Sequence, residues 1–198
     1  MVLWIFGYGS LVWKAGFEYE EQIVGFIRDY RRVFYQGNTD HRGSPENPGR
    51  TVTLQPQEGA ICWGVAYRVS GNDSEQLVLS YLEVREKEYD VRAYLDFFTV
   101  ESSSKPAISG VLVYIGSSNR SDNKFYLGPA PVEEIASQIA RSVGPAGPNH
   151  EYLFKLEEAL RKIGREDEGV IELADEVRKM MQLMDGEVHC FPIERSPI

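Results

Sequence analysis

The chain has 198 residues, 42% hydrophobic and 26% charged, a balance that fits one soluble globular domain and excludes a disordered chain. Its 21 basic and 30 acidic side chains leave a formal charge of −9, which repels nucleic-acid backbones and anionic membrane surfaces, so neither is expected as a partner. Two cysteines, Cys62 and Cys190, give no disulfide framework, and the short apolar start Met1 to Phe6 lacks a basic flank, so no signal peptide or membrane span is expected and the chain reads as reducing and cytoplasmic.

The first strand, Leu3 to Phe6, runs into Phe6-Gly7-Tyr8-Gly9-Ser10-Leu11-Val12. Two glycines around an aromatic residue let the backbone turn sharply at positive φ and gather amides, which is how a carboxylate or oxyanion is held. A dinucleotide loop would need a third glycine where Val12 stands. A hydrolase elbow would need glycines in place of Tyr8 and Val12, so Ser10 is not read as a nucleophile. Residue types alone leave the stretch as either a tight turn after a buried strand or a ligand loop.

Ile23 to Ile27 and Tyr30 to Gln36 read as two strands, with Arg28, Arg31 and Arg32 pointing outward. Gly37 to Arg50 is long and dense in turn formers, so it reads as a binding loop or a cover. Thr51 to Leu54 and Ala60 to Val69 then resemble a hairpin whose loop holds Pro56 and Gly59, with Cys62 a buried small hydrophobe. Asp73-Ser74-Glu75-Gln76 fits a capping box, and Leu77, Val78, Tyr81, Leu82 and Arg85 recur at helical spacing. Val91 to Val100 and Ile108 to Ile115 look extended. Helices are expected over Glu133 to Val143, Glu151 to Ile163 and Val170 to Met184, broken by Gly144 to Pro148 and by Arg165 to Glu168. Strands first and helices later indicate an α+β domain over residues 1–185, a small curved or closed sheet against a helical layer, followed by a tail at 186–198.

His41, His150 and His189 show no paired spacing, so no metal site is expected. Glu83, Glu86, Glu88 and Asp90 gather where a helix ends. The negative end of the helix dipole and the neighbouring acids raise a carboxylate's pKa, as a general base working near neutrality requires. Periodicity does not choose between Glu83 and Glu86.

Phe6-Gly7-Tyr8-Gly9-Ser10-Leu11, Thr39-Asp40-His41-Arg42-Gly43, Trp63-Gly64-Val65-Ala66-Tyr67, Tyr81-Leu82 with Arg85-Glu86-Lys87, and Tyr126-Leu127-Gly128-Pro129-Ala130-Pro131 together resemble the ChaC-type γ-glutamylcyclotransferases, in the family's order over roughly residues 2 to 155. The resemblance implies a small mixed β-barrel flanked by helices and the cleavage of glutathione, a small-molecule substrate, to 5-oxoproline and cysteinylglycine without a cofactor. It places the catalytic carboxylate at Glu86 and the γ-glutamyl pocket at Tyr8, Gly9, Ser10 and Leu11. With the flanking Gly7 and Val12, the backbone N–H groups of this loop are expected to hold the substrate carboxylate or the developing oxyanion. One departure stands beside the site. Where the family commonly continues Gly-Gly-Tyr after the lysine, this chain has Glu88-Tyr89, one residue shorter and more acidic. Turnover of other γ-glutamyl dipeptides, or binding of γ-glutamyl compounds without turnover, are the alternatives, and oligomeric state is open.

Overall fold

The computed structural model describes residues 2–188, and side chains as far as 184; His189, Cys190 and the rest of the expected tail lie outside the described residues. Strand β1 (Val2–Gly7) leads into a 3-10 turn (Ser10–Val12), then β2 (Glu21–Asn38), β3 (Gly49–Ser70), helix α1 (Asn72–Arg85), β4 (Val91–Phe97) and β5 (Ile108–Ile115). The rest is helical: α2 (Val132–Arg141), a two-stranded ribbon of β6 (Val143–Gly144) and β7 (Gly147–Pro148), α3 (Asn149–Lys162) and α4 (Glu168–Val188). The five longer strands form one mixed sheet in the order β2-β3-β1-β5-β4, in which only β1 and β5 run parallel.

Alternation along the strands feeds two cores, because successive side chains leave a strand on opposite faces. Phe6, Ala66, Val111 and Val113 pack with Ile139, Leu156 and Val177 of α2, α3 and α4. Their neighbours Ile5, Val65, Tyr67 and Leu112 pack with Val78 and Leu82 of α1. Among the described residues no helix is long and apolar enough to cross a membrane.

The expected α+β order holds, and four details differ. The two strands expected over Ile23 to Gln36 are one, and the expected hairpin from Thr51 to Val69 is a single strand pairing with it on both sides of an interruption. What reads as a loop is a bulge: Asp29, at φ 62°, stands alone against residues 57–60, and its carboxylate accepts the Gly59 N–H at 2.8 Å. The capping box is absent. Gly71, at φ 94°, turns the chain out of β3 and caps α1 with no side-chain bond, so the helix has already begun before Ser74. Finally, the sheet curls until its edges meet at one antiparallel bridge, Phe26 with Phe98, both N–H···O distances being 2.8 Å; no closed barrel is found.

Cys62 is buried, as expected, and burial pushes its thiol up to about 11. Arg28 and Arg31 are exposed, but Arg32 is not: its side chain is 1% accessible. It donates from Nε to the Tyr8 carbonyl at 2.8 Å and from its two terminal nitrogens to the Trp63 carbonyl and the Asp167 carboxylate. A charge read as a solvent-facing strand residue therefore lies inside, because three acceptors replace its water. Replacing Arg32 with Met strands those acceptors and should cost about 2–4 kcal/mol of stability by urea denaturation, far more than a surface arginine.

Candidate active site

Residues 7–12 turn sharply at the end of β1, but neither Gly7 nor Gly9 takes the positive φ expected of it. Space requires them instead. A Cβ on Gly7 would lie 2.4 Å from the Leu11 Cβ, and one on Gly9 would lie 2.8 Å from Val52 and 2.9 Å from the Tyr152 hydroxyl. The turn's oxygens are tied away from its hollow side. Tyr8 donates its hydroxyl to the Tyr114 carbonyl at 2.7 Å, Tyr67 donates to the Leu11 carbonyl at 2.6 Å, and Arg32 holds the Tyr8 carbonyl. The first bond of the turn runs from the Val12 N–H to the Gly9 carbonyl at 2.9 Å, so the turn gives the amides of Gly9, Ser10 and Leu11 no acceptor.

Helix α1 ends at Arg85, and Glu86 is its C-cap, with φ −99° and its N–H still bonded to Leu82 O at 2.8 Å. That single step out of helical geometry separates the two acids left open by periodicity. Glu83 stays on the outer face, 53% exposed and paired with Arg92 at 2.9 Å. Glu86 turns inward, 14% exposed, with Oε1 3.1 Å from Arg85 Nε. Burial raises the Glu86 pKa, Arg85 opposes that shift, and Glu88 adds to it.

Arg85 joins this carboxylate to the turn. Its Nη2 donates to the Ser10 hydroxyl at 2.7 Å, and its Nη1 donates to the carbonyls of Ala15 at 2.6 Å and Lys14 at 2.9 Å. Glu88, the added acid, points to the other wall. It accepts from Asn38 Nδ2, from the Thr39 N–H at 3.1 Å and from the Thr39 hydroxyl at 3.2 Å. Asn38 Oδ1 in turn accepts the N–H groups of His41 and Arg42, so the long loop is clamped at its start.

These elements enclose a cavity of about 270 Å³. Glu86 and residues Tyr8, Gly9, Ser10 and Leu11 line it, whereas Gly7, Val12 and Glu83 do not. Gly7 and Val12 are buried behind the turn. His41 and Arg42 reach the cavity from the clamped loop, and Tyr89, Tyr114 and Tyr152 complete the wall. The tyrosines escape a reading of the sequence alone. Tyr152 sits in the apolar stripe of α3 with Leu153, Leu156 and Leu160, where an aromatic residue signals packing. Among the described residues no cluster of three or more His, Cys, Asp or Glu side chains could hold a metal ion.

A family model described as ChaC-like protein matches residues 3–180. The chain belongs to the ChaC-like family. The match runs past residue 155, where the motif resemblance fades, and takes in most of α4. The chain is 54% identical over 181 residues to "Gamma-glutamylcyclotransferase 2-3" of Arabidopsis thaliana, covering 91% of each. It is 42% identical to "Glutathione-specific gamma-glutamylcyclotransferase 1" of Homo sapiens, covering 90% of this chain and 80% of that one. A crystal structure of a glutathione-specific γ-glutamyl cyclotransferase from yeast superposes with a TM-score of 0.81 at 30% identity, covering 90% of this chain and 96% of that one.

The raised pKa has a consequence for stability. Folded Glu86 binds its proton more tightly than the unfolded chain does, so its cost to folding is absent below the unfolded value near about 4.3 and grows as pH rises through the folded value. Glu86→Gln should therefore melt higher than wild type at pH 7, with the gap closing as the pH falls toward about 4. Thermal scans across that range check the sign.

Proposed function

We propose that this ChaC-like chain cleaves glutathione to 5-oxoproline and cysteinylglycine, with Glu86 moving the proton and the turn of residues 7–12 holding the γ-glutamyl group. The observation that carries the reading is the convergence of one buried carboxylate with a raised pKa and one turn with unspent amides on the same cavity. The glutathione-specific relatives from Homo sapiens and yeast support the choice of substrate.

The chemistry needs no nucleophile from the protein. In a γ-glutamyl peptide the α-amine attacks its own γ-carbonyl, forming the lactam N–C bond as the C–N bond to cysteine breaks. Bending the substrate supplies most of the advantage of an intramolecular reaction. The α-amine, with a pKa near about 8, arrives mostly protonated. Glu86 takes that proton and returns it to the departing nitrogen as the C–N bond breaks; the second proton that the attacking nitrogen sheds on becoming the lactam N–H ends on the released cysteinylglycine amine, which leaves as an ammonium, so atoms and charge balance with no water consumed. A base that also serves as an acid works best with a pKa lifted toward neutrality, and burial beside Glu88 lifts this one. A protein that only bound γ-glutamyl compounds would gain nothing from such a carboxylate.

The same reading extends to the rest of the chain. Residues 1–185 act as one domain in the cytoplasm, the negative charge disfavours nucleic acid, and the Phe26–Phe98 bridge is consistent with a sheet near to barrel closure.

Glu86→Gln keeps the volume and removes the proton acceptor, so turnover measured as 5-oxoproline by mass spectrometry should fall by about 10²- to 10⁴-fold. Glu83→Gln should leave turnover within about threefold, as expected for an exposed pair. The opposite ranking would move the base to Glu83, and wild type that makes no 5-oxoproline would end the proposal. Because a carboxylate and the substrate's own amine complete the proton transfers, turnover should survive exhaustive chelation. Loss that a particular divalent ion restores would contradict this.

A further inference from the structure

Of the tyrosine hydroxyls around the pocket turn, three spend their protons on the main chain. Tyr8 donates to Tyr114 O, Tyr67 to Leu11 O, and Tyr89 to Val52 O at 2.8 Å. Tyr152 differs. Its oxygen accepts the Val52 N–H at 3.4 Å, and no acceptor for its own proton is present among the described residues. A phenol has one donor to place, and leaving it unplaced in a buried site is costly.

The residue is held rigidly. It is 6% exposed, and its ring meets Trp13 and Phe34 edge-on at centroid distances of 5.5 and 6.4 Å. The hydroxyl abuts Gly9, since a Cβ there would come within 2.9 Å, and it borders the same cavity as Glu86. Burial raises its pKa, so it stays a neutral donor at working pH and cannot serve as a second base. Tyr114 also has an unpartnered hydroxyl, but its ring lies under Arg92, whose guanidinium carbon is 5.7 Å from the centroid, beside the exposed pair with Glu83.

We infer that the Tyr152 hydroxyl donates to the γ-carbonyl oxygen of the substrate as that oxygen gains negative charge, an assignment that rests on the cyclotransferase reading above. As the amine nitrogen bonds to the γ-carbon, the carbonyl π electrons move to oxygen. When the C–N bond to cysteine breaks they return, and the cysteinylglycine nitrogen takes its proton from Glu86. A preplaced neutral donor strengthens as the charge develops. The α-carboxylate, already charged in the ground state, is left to the amides of Gly9, Ser10 and Leu11.

The test compares wild type with Tyr152→Phe, reading kcat, KM, inhibition by 5-oxoproline and melting temperature. Removing one oxyanion donor should lower kcat by about 10²- to 10³-fold while KM and 5-oxoproline inhibition change by less than about threefold. Tyr89→Phe removes a bond to the carbonyl of the same residue, Val52, and measures what a structural loss alone does to melting. An unchanged kcat in Tyr152→Phe overturns the inference, as does a kcat loss no larger than that of an equally destabilised Tyr89→Phe. A rise in KM matched by weaker 5-oxoproline inhibition overturns it too, because the contact would then be to the carboxylate. If Tyr152→Phe does not fold, 3-fluorotyrosine at position 152 keeps ring and donor and makes the phenol a stronger donor, so kcat should rise while KM stays within about threefold; an unchanged kcat overturns the inference. Wild type that yields no 5-oxoproline in the same assay would instead end the cyclotransferase reading.

Discussion

The buried guanidinium of Arg32 is the constraint on which the other parts of the molecule depend. It belongs to β2, yet it reaches the pocket turn through Tyr8 O, β3 through Trp63 O and the connection before α4 through Asp167. Only a planar fork with five donors can satisfy acceptors on three segments at once, and a lysine in its place could not. Because the Tyr8 carbonyl is drawn backward, the amides that follow it are left for the hollow side of the turn. Arg85 repeats the device from the opposite direction, bonding Ser10 and two carbonyls while pairing with Glu86. The turn is therefore gripped by two arginines from two elements, and the acid across the cavity is positioned by one of them.

Much of this is legible in the sequence, and what is not has physical causes. The pocket turn and the acid cluster stood out because glycine and carboxylate are costly where they are not needed. Periodicity does not rank Glu86 and Glu83, since both end the same helix and the choice depends on one residue leaving helical φ and ψ; only the motif resemblance separates them. The long β2–β3 ribbon was hidden because Asp29, Pro56 and Gly59 are turn formers, and a bulge uses the same residues as a hairpin loop. Arg32 was hidden by its own charge, which reads as a surface residue until its acceptors are known. Tyr152 was hidden by the opposite, an apolar body in an apolar stripe.

The one departure from the family motif also has a structural meaning. Glu88 replaces flexible backbone with a carboxylate that anchors Asn38 and Thr39, and its charge adds to the raised pKa of Glu86. A residue that reads as a local change in loop shape thus acts on two things, the seating of the long loop and the basicity of its neighbour.

Cys62 lies beneath this arrangement, on β3 beside Trp63. Thiol–disulfide exchange begins from an accessible thiolate, and here the thiol is buried and its pKa lifted to about 11. For a protein proposed to process a thiol tripeptide, that placement removes an obvious side reaction. A disulfide form of the substrate finds no accessible thiolate at Cys62 with which to form a mixed disulfide, so at this position catalytic capacity is uncoupled from the redox poise of the compound it consumes.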